Sequence, residues 1–347
     1  MPRWLSKRVL LALGGAVLVV ATFAYLLPTI ADYRDVWRVV RDTSWEWSVA
    51  LLAATALNVL TFAPPWLSLV PGLRFWSTLM MTQAATALSI LLPGGAAVGI
   101  ATAYGMLRRS GLAPGAVARS VTLVSLWNQL ANLAYPIVAL LLLTMSGEET
   151  TVLATAAFVG VAILVLAVGA LVLVLYSTRM AGELGDLAAR AATAVARRLR
   201  RAPVGWSGSS FERFRLDAVD VLRRRWHFLT LATLAGSLTV FAVLLLSLRA
   251  LQVPAVEVTA VEAFAAWSLA RILGSIPITP GGIGIVELSL TTALIGFGGN
   301  NAGVVAAVLV YRFLTVVPTL VLGAVAAMVW RQLFTRAPAP PGLESDL

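Results

Sequence analysis

Three charged residues lie inside long apolar stretches of the sequence, where charge is rare. They are Arg271, Glu287 and Arg312, and Tyr311 directly precedes the last of them. A charge at the centre of a membrane-spanning helix is unfavourable by at least about 2.5–3.5 kcal/mol, so each is a candidate functional residue. The chemistry that these residues offer is anion binding by arginine, with one carboxylate nearby.

A Pro280-Gly281-Gly282 sequence separates Arg271 from Glu287 and interrupts the apolar stretch between them. A half-helix that begins near Gly282 would direct unpaired N–H groups and a partial positive charge into the membrane interior, which suits a lipid phosphate. Arginines nearby would strengthen such a site, because a guanidinium group binds phosphate through a fork of donors. These residues therefore predict an anion-binding site at membrane depth.

Two interpretations of Glu287 stay open at this point. It is either an ion-pair partner that allows Arg271 or Arg312 to be buried, or a group that binds a proton or a cationic headgroup. An earlier break at Pro93-Gly94-Gly95 has no matching acid or base, and the simpler role of the polar groups near it is interhelical hydrogen bonding. Those groups are Gln83, Ser89, Ser125, Asn128, Gln129 and Asn132. The candidate substrate-binding set is Arg271, Glu287, Arg312, Tyr311, Pro280, Gly281, Gly282, Pro93, Gly94, Gly95 and Asn128.

Composition excludes several function classes. Of 347 residues, 59% are hydrophobic and 12% are charged, which is about half the charged fraction of a soluble domain. The chain has no cysteine, one histidine and no P-loop or Ser-His-Asp set, so we expect no metal, no cofactor and no enzyme activity. The net charge of +10 lies mostly in loops beside apolar spans, which favours anionic lipid over nucleic acid as a partner.

Six apolar stretches are long enough to cross a bilayer, because the hydrocarbon core is about 30 Å thick and a helix rises about 1.5 Å per residue. They cover roughly residues 9–27, 47–70, 118–144, 150–176, 227–248 and 303–330. Two further apolar regions, about 75–107 and 259–298, are each divided by a Pro-Gly-Gly sequence. The predicted fold class is therefore all-α, a polytopic membrane protein with about six full spans and two broken helical hairpins.

The distribution of arginine and lysine predicts the orientation, since basic loops remain in the cytoplasm. Both termini and the large loop 177–226 are expected inside, so region 75–107 would enter from the cytoplasm and region 259–298 from outside. Residues 47–144 and 227–330 would then be two units of opposite topology, an inverted repeat of the kind that forms transporter sites near the midplane. The alternative is eight ordinary spans, of which the broken ones are kinked at proline.

We expect a single transmembrane domain over residues 1–336 and a disordered, proline-containing tail over residues 337–347. The basic loop 177–226 is interpreted as two amphipathic helices, Met180–Arg201 and Phe211–Trp226, lying against anionic headgroups. A simpler explanation of its arginines is that they set the topology. The predicted location is the cytoplasmic membrane.

Two motifs resemble those of a known family. The sequence IPITPGGIGIVE from Ile276 to Glu287, with Tyr311-Arg312, resembles a motif of the lysylphosphatidylglycerol synthase transmembrane family, which includes MprF flippase domains and YbhN-like membrane proteins. Leu91-Leu92-Pro93-Gly94-Gly95, with Arg108-Arg109-Ser110-Gly111, is similar to that family's first motif. The resemblance covers residues from about 10 to 330 and implies an all-helical, flippase-like domain with paired re-entrant elements, in which Glu287 and Arg312 occupy motif positions.

The chain departs from the family pattern in two respects. Its first motif continues with the apolar stretch from Ala96 to Ala103, where many members are more polar and carry an acid, so the resemblance does not imply a symmetric charged site. The sequence also lacks the soluble aminoacyl-transfer domain of full-length synthases, and we expect that it is not a synthase.

The leading hypothesis is a lipid flippase or lipid-binding transporter, whose cargo is an anionic, aminoacylated or polyprenyl-phosphate lipid bound by its phosphate headgroup. A non-transporting scaffold for envelope lipid synthesis, docked through the basic loop 177–226, is the alternative. Lipid phosphotransfer chemistry would need an intramembrane His or Asp nucleophile, which the sequence does not offer. Assembly into a homo-oligomer stays open.

Overall fold

A computed structural model describes residues 33–70, 72–92, 94–145, 158–166, 168–169, 173, 183, 190, 193, 208–276 and 279–334. Within these ranges every regular element is helical. The helices are α1 (Tyr33–Arg41), α2 (Trp45–Leu60), α3 (Pro64–Leu69), α4 (Phe75–Leu91), α5 (Gly95–Arg109), α6 (Pro114–Met145), α7 (Gly208–Ala250), α8 (Ala260–Ser275), a 3₁₀ turn (Pro280–Gly282), α9 (Ile285–Gly296) and α10 (Asn301–Phe334).

Four helical segments in the described part of the chain are long and apolar enough to cross a membrane: Trp45–Leu69, Pro114–Met145, Arg215–Ala250 and Asn301–Met328. They coincide with four of the six predicted spans. The predicted span 9–27 lies outside the described residues, and so does most of 150–176, of which residues 158–166 are helical. The protein is therefore a multi-pass, all-helical membrane protein.

These spans are apolar on all sides because most of their surface faces away from the protein. Only 22–39% of each segment is buried among protein atoms, and large side chains such as Leu231 and Phe313 are more than 60% exposed. A helix that is hydrophobic all round and yet exposed needs hydrocarbon as its solvent. The outer surface of the bundle is thus fitted to lipid.

Both predicted helix interruptions are present, and glycine residues allow the backbone geometry of each. At the first, α4 ends at Leu91 and α5 begins at Gly95, where any side chain would overlap the carbonyl oxygen of Ser89. At the second, Gly281 and Gly282 have φ of 61° and 65°, a left-handed conformation that residues with a Cβ rarely adopt. Pro93 and residues 277–278 lie outside the described residues.

The helices that precede the two breaks pack against the long helices of the bundle. Helix α4, before the first break, packs against α10, and helix α8, before the second break, packs against α6. The 3₁₀ turn of the second break packs on α4, and a Cβ built on Gly281 would lie 3.1 Å from Cα of Ile90. The second break is therefore in direct contact with the end of α4, immediately before the first break.

The structure changes the interpretation of the predicted amphipathic helix Phe211–Trp226. These residues are not a separate element lying on the membrane surface, because α7 continues without interruption from Gly208 through the span to Ala250. Arginine is a good helix former and no proline divides this stretch, so the arginine cluster extends the spanning helix. The predicted helix Met180–Arg201 and the tail 337–347 fall almost entirely outside the described residues.

A Gly281→Ala substitution tests the contact between the two breaks. The new methyl group meets both a left-handed backbone and the backbone of Ile90, so we expect a loss of about 1–3 kcal/mol and a lower midpoint of thermal unfolding in detergent. Gly105→Ala is the matched control, because Gly105 lies within α5 with no atom within 4 Å of a Cβ, and alanine there should be neutral or stabilising. Equal midpoints for the two variants would contradict the contact.

Candidate functional site

Glu287 is held at the first turn of α9 by two short hydrogen bonds. Its Oε2 atom accepts the backbone N–H of Gly284 at 2.6 Å, and its Oε1 atom accepts Nε–H of Arg312 at 2.6 Å. The residue is 2% exposed. A glutamate at the third helical position commonly reaches back to the capping residue, and the positive end of the helix dipole favours its charge.

Arg312 connects α10 to the second break. Besides its ion pair with Glu287, it donates from Nη2 to the carbonyl oxygen of Gly281 at 3.3 Å. The Arg312 side chain is 14% exposed, so the pair is largely removed from solvent. The pairing corresponds to the first of the two interpretations of Glu287, in which the carboxylate allows an arginine to be buried.

This geometry adds a group at the second break that the sequence analysis did not place there. The start of the half-helix was expected to offer N–H groups to a ligand anion, and the carboxylate of Glu287 accepts one N–H at this position, that of Gly284. The protein thus supplies an anion of its own beside the helix start, and Arg312 is its ion-pair partner.

Arg271 is the second arginine of the candidate set, and it does not pair with Glu287. It lies on α8 and donates from Nε and Nη2 to Oδ1 of Asn132 on α6, at 3.0 and 2.7 Å. Its guanidinium carbon lies 4.9 Å from the ring centre of Trp267 and 5.9 Å from that of Tyr135. Among the described residues no carboxylate forms an ion pair with Arg271.

Tyr311 stands between the two arginines. It is 5% exposed, its charged neighbours are Arg271, Arg312 and Glu287, and its hydroxyl lies beside Trp267. The structure therefore brings Arg271, Tyr311, Glu287 and Arg312 into one neighbourhood, although only the last two form an ion pair.

The remaining candidates fall into two groups. Pro280, Gly281 and Gly282 form the 3₁₀ turn beneath Arg312, and Gly94 and Gly95 form the first break. Asn128 does not join the site, because its amide donates within its own helix to the carbonyl oxygen of Val124 at 3.0 Å.

Sequence reasoning missed Tyr135 and Trp267, and it named Asn132 only as a polar group for interhelical hydrogen bonding, which is the contact that it makes with Arg271. Asn132 and Tyr135 are three residues apart on α6, and Trp267 is four residues before Arg271 on α8, so each pair shares a helix face. This spacing was a usable signal. The contact between the two helices joins residues more than 130 positions apart, and the sequence did not indicate it.

The ion pair has no counterpart at the first break. The break and the start of the following long helix recur at a constant offset of 187 residues, from Pro93 to Pro280 and from Pro114 to Asn301. The same offset places Ile100 opposite Glu287 and Ser125 opposite Arg312. The charged site accordingly belongs to one unit, and within the described residues no group of three or more His, Cys, Asp or Glu could hold a metal ion.

A double-mutant cycle tests whether Glu287 and Arg312 act as a unit. Glu287→Leu leaves a buried guanidinium without a counter-charge, Arg312→Met leaves a buried carboxylate without one, and we expect each to lose about 3–5 kcal/mol, measured by thermal or denaturant unfolding in detergent. The double variant Glu287→Leu with Arg312→Met removes both charges and should recover most of that loss. Additive losses in the double variant would contradict the pairing.

Comparison with known proteins identifies a family for this chain. A family model described as "Lysylphosphatidylglycerol synthase TM region" matches residues 9–323, which confirms the resemblance of the two motifs. No curated protein matches the chain. The family indicates a function related to membrane lipid. Because the match covers nearly the whole sequence, this multi-pass membrane protein belongs to the family of lysylphosphatidylglycerol synthase transmembrane regions.

Proposed function

We propose that the protein is a lipid flippase or lipid-binding transporter of the cytoplasmic membrane, whose cargo is an anionic, aminoacylated or polyprenyl-phosphate lipid. The observation that carries the proposal is the concentration of charge at one place. Arg271, Glu287 and Arg312 gather around the second break, where that break contacts the end of α4 beside the first. Charged side chains within membrane spans commonly mark the pathway of a substrate or an ion.

The lengths of the helices on either side of each break support a re-entrant arrangement. Helices α4, α5, α8 and α9 contain 17, 15, 16 and 12 residues. At about 1.5 Å per residue each is shorter than the roughly 30 Å hydrocarbon core. We therefore propose that the two hairpins enter from opposite faces and meet near the midplane, as in inverted-repeat transporters.

The mechanism follows from this arrangement. In this mechanism, the close approach of Gly281 to Ile90 is the closed state of the path between the two hairpins. Separation of the contact would allow a headgroup to move along a polar groove between the units while its acyl chains stay in lipid. The Glu287–Arg312 pair holds the second break to α10 during this movement, so that the break moves as a unit with that helix.

The remaining assignments belong to the same proposal. The amino terminus, the carboxyl terminus and the basic loop 177–226 lie in the cytoplasm, and the partner of the protein is membrane lipid rather than nucleic acid. The protein translocates without chemical change and is not an enzyme. Anionic headgroups lie against the arginines at the start of α7, of which Arg223, Arg224 and Arg225 are exposed.

Introduced cysteines test the re-entrant topology in a chain that has none of its own. Arg74→Cys and Ala113→Cys flank the first hairpin at exposed positions, and Val256→Cys is 93% exposed between α7 and α8. In intact cells a membrane-impermeant maleimide should label only Val256→Cys, and the other two should react only after permeabilisation. Opposite accessibility of Arg74→Cys and Ala113→Cys would instead favour a kinked full span.

Transport is tested with purified protein in liposomes that contain labelled anionic, lysylated or polyprenyl-phosphate lipids. We expect the transfer of one class between leaflets at least about tenfold above protein-free liposomes. Glu287→Gln and Arg312→Ala should abolish it, and so should the stable Glu287→Leu/Arg312→Met variant, which separates function from folding. Arg224→Gln is the matched control, because it breaks an exposed ion pair with Asp220 and should transport normally.

The absence of transport of every class, by folded protein under an imposed proton gradient, would contradict the proposal. A scaffold for envelope lipid synthesis would then be the better account. Under that account, replacement of the arginines in loop 177–226 should abolish function in cells and Glu287→Gln should leave it intact.

A further inference from the structure

Arg271 is a deeply placed cation whose hydrogen-bond and ring partners in the described part of the chain include no carboxylate. Arg312 is paired with Glu287. Arg249, at the end of α7, donates to the carbonyl oxygens of Val253 and Val258 at 2.8 Å each and so closes the loop that follows its helix. Arg271 has only one neutral oxygen atom, Oδ1 of Asn132, as its acceptor.

The neighbours of Arg271 hold it in place but do not neutralise it. The amide of Asn132 takes two of its donors, and the ring faces of Trp267 and Tyr135 attract the cation through their quadrupoles. The Nη1 atom makes no hydrogen bond to the described residues and is not enclosed by protein atoms. The guanidinium group therefore keeps an open edge, which is the edge that a phosphate takes from arginine.

The two aromatic side chains around Arg271 are fixed in the protein interior. Trp267 is 1% and Tyr135 is 4% exposed. The polar neighbour of Trp267 is the hydroxyl of Tyr311, and that of Tyr135 is Ser237. Neither neighbour carries a negative charge, so the guanidinium group is held between buried rings without being neutralised.

We propose that Arg271, Asn132, Tyr135 and Trp267 form a receptor for the phosphodiester of a lipid headgroup with one negative charge. Asn132 orients the guanidinium group, and Arg271 binds the phosphate through its open edge. The residues beside the receptor face lipid, since Leu133, Leu269 and Ile276 are 40–48% exposed. The acyl chains of the ligand can therefore remain in hydrocarbon while its phosphate is bound.

The receptor selects among the three cargo classes. A single arginine balances one negative charge, which favours a phosphodiester over the doubly charged monoester of a polyprenyl phosphate. A lysylated headgroup brings amines that need a carboxylate, but Glu287 is committed to Arg312 and Gly284. The statement that the bound lipid is cargo rests on the proposed function. The statement that Arg271 binds a lipid phosphate does not.

Native mass spectrometry of the full-length protein in detergent measures the binding. The probes are dioleoyl phosphatidylglycerol, its lysylated form and zwitterionic dioleoyl phosphatidylcholine. We expect phosphatidylglycerol to bind at least about tenfold more tightly than the other two. Arg271→Gln should remove this difference, and Arg249→Gln, which deletes a second uncompensated arginine elsewhere, should preserve it.

Further variants keep the test decisive if Arg271→Gln does not fold. Trp267→Phe keeps the ring beneath the cation but deletes the N–H donor, and Asn132→Leu releases the guanidinium group; each should weaken phosphatidylglycerol binding at least about threefold. Soluble glycerol phosphate, added in large excess, should not displace the lipid. Displacement by glycerol phosphate would overturn the assignment to a lipid headgroup.

Binding unchanged in folded Arg271→Gln, or lost equally in Arg249→Gln, would overturn the receptor. These results are separable from those of the transport assay. Specific binding at Arg271 without transport would contradict the proposed function alone. Transport with phosphatidylglycerol binding that is insensitive to Arg271, Asn132 and Trp267 would contradict the receptor alone.

Discussion

A guanidinium ion within a membrane needs a counter-charge or a complete set of strong dipoles, because hydrocarbon provides neither. This requirement organises the second unit of the protein. Arg312 meets it with Glu287 and the carbonyl oxygen of Gly281, and in doing so ties α10 to the break. Arg271 meets it only in part, with an amide and two aromatic faces. The first arrangement ties two elements together, and the second is the place where we propose that a lipid phosphate binds.

Backbone geometry determines where these charges can meet. Glycine allows both breaks: Gly281 and Gly282 adopt left-handed conformations, and Gly95 starts α5 against the carbonyl oxygen of Ser89. The packing of α8 against α6 then joins Arg271 to Asn132. A constant offset of 187 residues relates the two breaks in the sequence, but only the second carries charge. The two breaks thus share a Pro-Gly-Gly sequence and differ in chemistry.

Local sequence patterns predicted the spans and the breaks, but they did not predict contacts between residues far apart in the sequence. Length and apolarity located four spans, and Pro-Gly-Gly located both breaks, since each follows from bilayer thickness or backbone sterics. The pairing of Glu287 with Arg312 was one of two open alternatives. The use of Glu287 as the cap of its own helix was missed, although a glutamate three residues after Gly284 indicates it. The partners of Arg271 on α6 depend on tertiary packing, which neither periodicity nor motif encodes.

The most direct measurement of the central claim is a cryo-electron microscopy map of the full-length protein in nanodiscs containing phosphatidylglycerol. The account predicts density for a lipid phosphate at about 3 Å from Nη1 of Arg271, with acyl chains directed toward Leu133 and Leu269. A carboxylate of the protein paired with Arg271, or a guanidinium group surrounded only by acyl chains in a map that resolves other bound lipids, would contradict it.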